Sequence, residues 1–135
     1  MKSLFAKPAL ILGIMLCIAP LQAKKNRYVT LKPALFKAQM EQTANPCVID
    51  VRSSAVDFEA GHIVGAIHLD PNSIVFISEL KQLHPNQEAA IFVYCKMGKS
   101  SKTAAGKMAS GGYKNVYSLK GGILAWKKNF PIVTP

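Results

Sequence analysis

Ala90-Ile91-Phe92-Val93-Tyr94-Cys95-Lys96-Met97-Gly98-Lys99-Ser100-Ser101 passes from a buried-type run to a cysteine, then to a basic loop with one glycine. Ala90 to Tyr94 is apolar, β-branched and aromatic, the composition of a strand. Lys96 to Lys99 reads as a short loop. Ser100 to Ser110, rich in alanine and lysine, reads as a helix closed by Gly111-Gly112. A strand that ends in a cysteine and turns at once into a helix is a unit of α/β architecture.

The flanking sequence repeats that alternation. Tyr28-Val29-Thr30 predicts a short strand. Pro33 to Gln42 predicts a helix with proline in its first turn, broken by Asn45-Pro46. Cys47 to Val51 predicts a strand, and Ser54 to Ala60 a short helix capped by Ser53 or Ser54. Gly65 to Leu69 leads into another strand. Ser73 to Leu83 predicts a helix stopped by His84-Pro85-Asn86. Val116 to Leu119 predicts the last strand, and Gly121-Gly122 turns into a closing helix through Trp126. The strands are apolar on both faces, which indicates a parallel sheet covered by helices, with right-handed crossovers. Nothing in the sequence repeats or has low complexity.

Residues 1–23 do not fit this pattern. Met1 to Lys7 is basic, Pro8 to Pro20 is almost wholly apolar, and Leu21-Gln22-Ala23 precedes Lys24-Lys25. That is the order of a secretory signal peptide, with cleavage expected after Ala23 and a single domain over 24–135. Export then means the periplasm or secretion, with no stable membrane insertion. The alternative is a membrane anchor over residues 8–20, although a spanning helix needs about 20 apolar residues. Leu16 before Cys17 is too large for a lipoprotein site. The chain is +10, and residues 24–135 carry 15 basic and 7 acidic side chains, or +8. Such a charge attracts anions. No basic tract is interleaved with aromatics, so nucleic acid is not expected as a partner.

Cys95 stands where open α/β sheets bind ligands, at the carboxyl end of a strand. The loop after it can aim backbone N–H groups inward as an anion cradle, with Gly98 free to take conformations closed to other residues. Such a cradle stabilises negative charge on sulfur. Lys96, Lys99 and Lys102 add positive potential, and Ser100 and Ser101 offer hydroxyl donors or a helix cap. Cys47 begins one strand and Cys95 ends another. At about 3.3 Å per residue they stand on the order of 13 Å apart, whereas a disulfide needs Cα atoms within roughly 7 Å. Cys47 is therefore expected in the core and Cys95 free. Cys47, His62, His68 and His84 show no metal-ligand spacing.

Three stretches together resemble the rhodanese family. The first runs from Cys47 to Leu69 and contains Asp50-Val51-Arg52, Asp57-Phe58 and Gly61-His62-Ile63-Val64-Gly65-Ala66. The second is Tyr94-Cys95-x-x-Gly98-x-x-Ser101 followed by Ala104-Ala105. The third is Gly112-Tyr113-x-x-Val116, then Gly121-Gly122-Ile123-x-x-Trp126 and Pro131. The resemblance implies a five-stranded, mostly parallel sheet with helices on both faces. It implies a sulfurtransferase in which Cys95 takes sulfur from thiosulfate or a similar anionic donor and passes it, as a persulfide, to cyanide or a thiol. Two half-reactions on one nucleophile predict ping-pong kinetics. Lys96, Met97, Gly98, Lys99, Ser100 and Ser101 would form the active-site loop. Asp50, Arg52, Asp57 and His62 would be structural support, with Arg52 pairing to Asp57. No cofactor and no metal is implied, and a monomer is the default.

Many family members carry arginine at the position of Ser100, so donor clamping must differ here, because lysine cannot supply the bidentate fork. Three rival readings remain. A cysteine-dependent phosphatase needs arginine where this chain has Ser101. A persulfide carrier or redox-interaction module would load sulfur without turnover. A binding domain would not need Cys95 at all.

Overall fold

A computed structural model describes residues 27–135; the expected signal segment and its cleavage point lie outside the described residues. Five strands form one sheet: β1 (Val29–Leu31), β2 (Cys47–Asp50), β3 (Ala66–His68), β4 (Ile91–Tyr94) and β5 (Val116–Leu119). The helices are α1 (Pro33–Glu41), α2 (Ala55–Ala60), α3 (Phe76–Leu83), α4 (Lys99–Ser110) and α5 (Gly122–Trp126). The order across the sheet is β1-β5-β4-β2-β3, and every pairing is parallel. The expectation of a mostly parallel sheet thus becomes a wholly parallel one.

Side chains alternate across each strand, and both faces are covered. Ile49 and Val51 of the β2 segment, with Ile91 and Val93 of β4, pack against Phe76 and Leu80 of α3 and Ala104, Ala105 and Met108 of α4. Val48, Phe92 and Tyr94 face the opposite way, toward Phe36 and Met40 of α1, Ile63, and Ile123 and Trp126 of α5. Phe36 meets both Phe92 and Trp126 edge to face, with centroids 5.4 and 6.2 Å apart, a favoured aromatic geometry.

Two helix starts differ from expectation. α3 begins at Phe76 rather than Ser73, because short-range bonds hold residues 70–75 in turns. Asp70 Oδ1 accepts from Asn72 N (2.9 Å), Asp70 O from Ser73 N (3.2 Å) and Ser73 Oγ from Val75 N (3.1 Å). Asp and Ser side chains offer the backbone these alternatives to the helix. α4 begins at Lys99, one residue early, and no serine hydroxyl caps it. Gly98 is its cap residue, in the left-handed region with φ of 100°.

Candidate active site

The pairing of β2 with β4 sets Asp50 beside Tyr94, so Arg52 and Cys95 both emerge at the carboxyl edge of the sheet's centre. Cys95 continues the Ile91–Val93 face and keeps 4 % of its surface exposed. The chain then folds back over the sulfur. Gly98 N–H donates to Cys95 Sγ at 3.1 Å and Ser101 N–H donates at 3.3 Å. The second of these belongs to the first turn of α4, whose dipole adds to the local positive potential. The Gly98 and Ser101 amides therefore point inward, and negative charge on this sulfur is met by main-chain dipoles.

Glycine is required at the turn. A β-carbon on Gly98 would stand 2.9 Å from Gly121 N, and the positive φ strains any other residue. The turn from β5 into α5 backs the loop from below. Ile123 N–H donates to Cys95 O at 2.9 Å and Leu124 N–H to Lys96 O at 3.2 Å. Ser101, wholly buried, donates through Oγ to Gly98 O (3.3 Å) and lies 3.0 Å from the Ser118 hydroxyl. Its hydroxyl thus ties the loop to β5 while its amide serves the sulfur. Lys96, Met97, Lys99 and Ser100 are exposed around the loop. The loop sequence itself contains no arginine.

Asp50 and Arg52 stand together, but not as expected. Arg52 does not reach for Asp57; its guanidinium grips the fully buried Asp50. Nε donates to both carboxylate oxygens (3.1 and 3.0 Å), and Nη2 donates to Oδ2 at 2.6 Å and to Gly61 O at 2.7 Å. The fork fits this carboxylate bidentately, and Asp50 two residues away is held in reach by the Arg52 N–H bond to Oδ1 at 2.9 Å. Burial works against the Arg52 charge, yet the hydrogen bonds and charge of Asp50 outweigh it and hold the guanidinium above its ordinary value. Burial and the Asp50 carboxylate likewise push the Tyr94 phenol above its ordinary range; its oxygen accepts from Ile63 N at 3.1 Å.

Asp57 is exposed in the first turn of α2, where Ser54 Oγ accepts its N–H at 3.2 Å. His62 stacks on Phe58 with centroids 4.0 Å apart, and Nδ1 meets Phe58 O at 2.8 Å. Its backbone bridges to Val133. Neither residue is joined to the sulfur. Both Cys47 and Cys95 are free thiols, and burial raises Cys47 to about 11. Among the described residues no three His, Cys, Asp or Glu side chains group as metal ligands.

Two openings flank the loop. One, of about 210 Å³, is lined by residues that include Arg52, Gly61, Lys96, Leu124 and Lys127. The other, of about 400 Å³, is lined by Met97, Gly98, Lys99, Lys102, Lys120 and Gly121. Sequence reasoning missed Ser118, the backing role of Gly121-Gly122 and the Gly61 carbonyl as a partner for Arg52. The glycine doublet was a visible signal, as a turn and as part of the family resemblance, but neither shows its contact with the loop.

Comparisons with known proteins identify the family and the fold. The family model described as a rhodanese-like domain matches residues 32–129. A thiosulfate sulfurtransferase GlpE of Ectopseudomonas mendocina is 37% identical over 99 residues, which are 73% of this chain and 85% of that protein. One from Pseudomonas fluorescens is 36% identical over 109 residues, 81% of this chain and 94% of the relative. In solved structures, the rhodanese-like domain of an Anabaena protein superposes with a TM-score of 0.66 at 24% identity, covering 78% of this chain and 79% of that one. A Saccharomyces cerevisiae protein described as a homologue of single-domain rhodanese and the Cdc25 phosphatase catalytic domain gives 0.61 at 20% identity, covering 76% and 82%. With a family model spanning most of its length and relatives above one-third identity, this chain belongs to the rhodanese-like family.

Proposed function

We propose that this protein is a thiosulfate sulfurtransferase that works through a persulfide on Cys95. The observation that carries the reading is the pair of N–H groups, from Gly98 and Ser101, directed at the Cys95 sulfur. The curated relatives named as thiosulfate sulfurtransferases support the donor.

The Cys95 thiolate attacks the outer sulfur of thiosulfate. A new S–S bond forms, the sulfur–sulfur bond of the donor breaks, and sulfite leaves with that electron pair. The product, Cys95–S–S⁻, keeps its negative charge inside the loop, where the amide dipoles oppose it. Cyanide or a thiolate then attacks the terminal sulfur, and the bond to Cys95 breaks to restore the thiolate. No proton needs to move in either step, so no general base is required near Sγ, and neither His62 nor Asp57 is joined to the sulfur. Lys96 and Lys99 raise the concentration of anionic donor at the mouth. The same reading has residues 1–23 as an export signal and the mature protein as a periplasmic or secreted monomer.

Mass spectrometry after mixing with thiosulfate tests the chemistry. One added sulfur is expected on the peptide containing Cys95 and none on Cys47, with thiocyanate produced at steady state when cyanide is supplied. Cys95→Ser should fold and transfer nothing. Transfer by that variant would overturn the mechanism. Loading without turnover would instead favour a sulfur carrier. The amino terminus of the exported protein checks cleavage after Ala23.

A further inference from the structure

All seven acidic residues of the chain stand at or before Glu88; from Ala89 to Pro135 there are eight lysines and no carboxylate side chain. That acid-free third contains the whole active-site loop, the helix behind it and the β5–α5 turn that supports it. Lys99, Lys102 and Lys120 come from different elements yet line one open cavity with Met97, Gly98 and Gly121. The ion pairs among the described residues join Lys37 to Glu41, Arg52 to Asp50 and Lys114 to Glu88, so none of the three is neutralised. Between Lys96 and Lys99 the loop exposes Met97 to 67 %.

We propose that this surface docks an acidic polypeptide segment whose own cysteine is the sulfur acceptor. The inference rests on the sulfurtransferase reading and names the class of its acceptor. An exposed apolar side chain ringed by charge has the layout of an interface centre and rim, and methionine is enriched at such centres. A flat partner surface would not reach a cysteine that is 4 % exposed, so the acceptor cysteine sits on a narrow, protruding segment. The chemistry also calls for positive charge. The acceptor thiolate R–S⁻ attacks the terminal sulfur of Cys95–S–S⁻; R–S–S⁻ forms and Cys95–S⁻ leaves. Two anions must meet, and the lysines offset their repulsion and steer an acidic partner inward.

Single-turnover sulfur transfer tests this. The protein is loaded with thiosulfate, freed of donor, and mixed with a synthetic peptide bearing one cysteine between glutamates, or with its glutamine counterpart. The acidic peptide should discharge Cys95 at least about 10-fold faster at low ionic strength. That advantage should vanish in roughly 1 M salt, where the Debye length is about 3 Å. In a Lys102→Glu/Lys120→Glu variant that still loads sulfur, the preference should invert; Met97→Asp should slow both peptides. Equal rates for the two peptides, or a preference untouched by the double variant, would overturn the proposal. So would binding of phosphatidylglycerol vesicles that the double variant abolishes while the peptides react alike, since the surface would then serve a membrane. Failure to load sulfur at all sinks the sulfurtransferase reading itself, whereas loading followed by equal rates sinks only the acidic acceptor.

Discussion

Gly122 lies so tightly under Lys96 that a β-carbon would stand 2.2 Å from the Lys96 carbonyl oxygen and 2.6 Å from that of Cys95. Those two carbonyls accept the N–H groups that open α5. The floor of the sulfur cradle is therefore set by backbone contact, and backbone cannot swing aside as a side chain can.

Gly122→Ala should then damage the site more than the protein. The φ of +66° alone disfavours alanine by about 1–2 kcal/mol, and the carbonyls must also move. Persulfide formation should slow by at least an order of magnitude in the folded protein. Gly106→Ala is the matched control: nothing lies within 4 Å of its added methyl, and a mid-helix alanine is worth roughly 0.5–1 kcal/mol over glycine. It should melt higher and transfer sulfur normally. A Gly122→Ala protein with ordinary loading kinetics would show that the backing is not needed.

Arg52 and Asp50 support a prediction of the opposite kind. Their pair is buried, with Asp50 fully enclosed and the arginine side chain 10% exposed. Asp50→Ala leaves the guanidinium without its partner, a loss of about 3–5 kcal/mol for a buried pair. Arg52→Lys keeps the charge but gives up the fork and the Gly61 carbonyl, and should fall between wild type and Asp50→Ala. Thermal melts check the order. Because neither side chain bonds Cys95 Sγ, the folded fraction of each variant should retain most of its transfer rate; a collapse of rate without a fall in melting temperature would give Arg52 a direct role.

The alternation of strand and helix was readable because each strand is an apolar run closed by glycine, proline or a polar turn. The strand Val116–Leu119 was bounded correctly on that basis. The start of α3 was not, since Asp70 and Ser73 spend their side chains on local turns that a hydrophobic pattern does not register. The sulfur cradle was readable from Cys95 and Gly98 because a cysteine at a strand end, a glycine and a helix start are neighbours in sequence. Ser118 and Gly122 were not, because their meaning depends on tertiary contact; the Ser101–Ser118 bond spans 17 residues. The Arg52 pairing was misread for a related reason. Asp57 sits in the same motif, but the sharp exit from β2 keeps Asp50 in reach of both the backbone and the guanidinium.

Ser118→Ala should show that tertiary tie directly. It removes the partner 3.0 Å from the buried Ser101 hydroxyl but spares the bond to Gly98 O. One net hydrogen bond is worth about 0.5–1.5 kcal/mol, so a modest drop in melting temperature is expected. Loading by thiosulfate should slow a few-fold as the Ser101 amide loses definition. Unchanged stability would mean that the hydroxyl pair contributes nothing net.

Cys47 predicts how stability changes in alkali. Burial raises its thiol from 9.0 to about 11 in the folded protein. Below about pH 8 the thiol is neutral in both folded and unfolded chains, and its full contribution to stability is present. As pH rises from 9 towards 11, the unfolded chain releases this proton while the folded chain holds it, so the unfolded state binds fewer protons and stability falls. Burial raises Tyr113 as well, and Tyr94 more strongly, from an ordinary value of 10.0, so both add to the decline from about pH 9 upward. The share of Cys47 is therefore the difference between proteins with and without that thiol. Denaturant midpoints in a Cys95→Ser background, where one thiol remains among the described residues, should fall more steeply between pH 9 and 10 than when Cys47 is also replaced by alanine. An equal fall in both proteins would assign the alkaline loss to other groups.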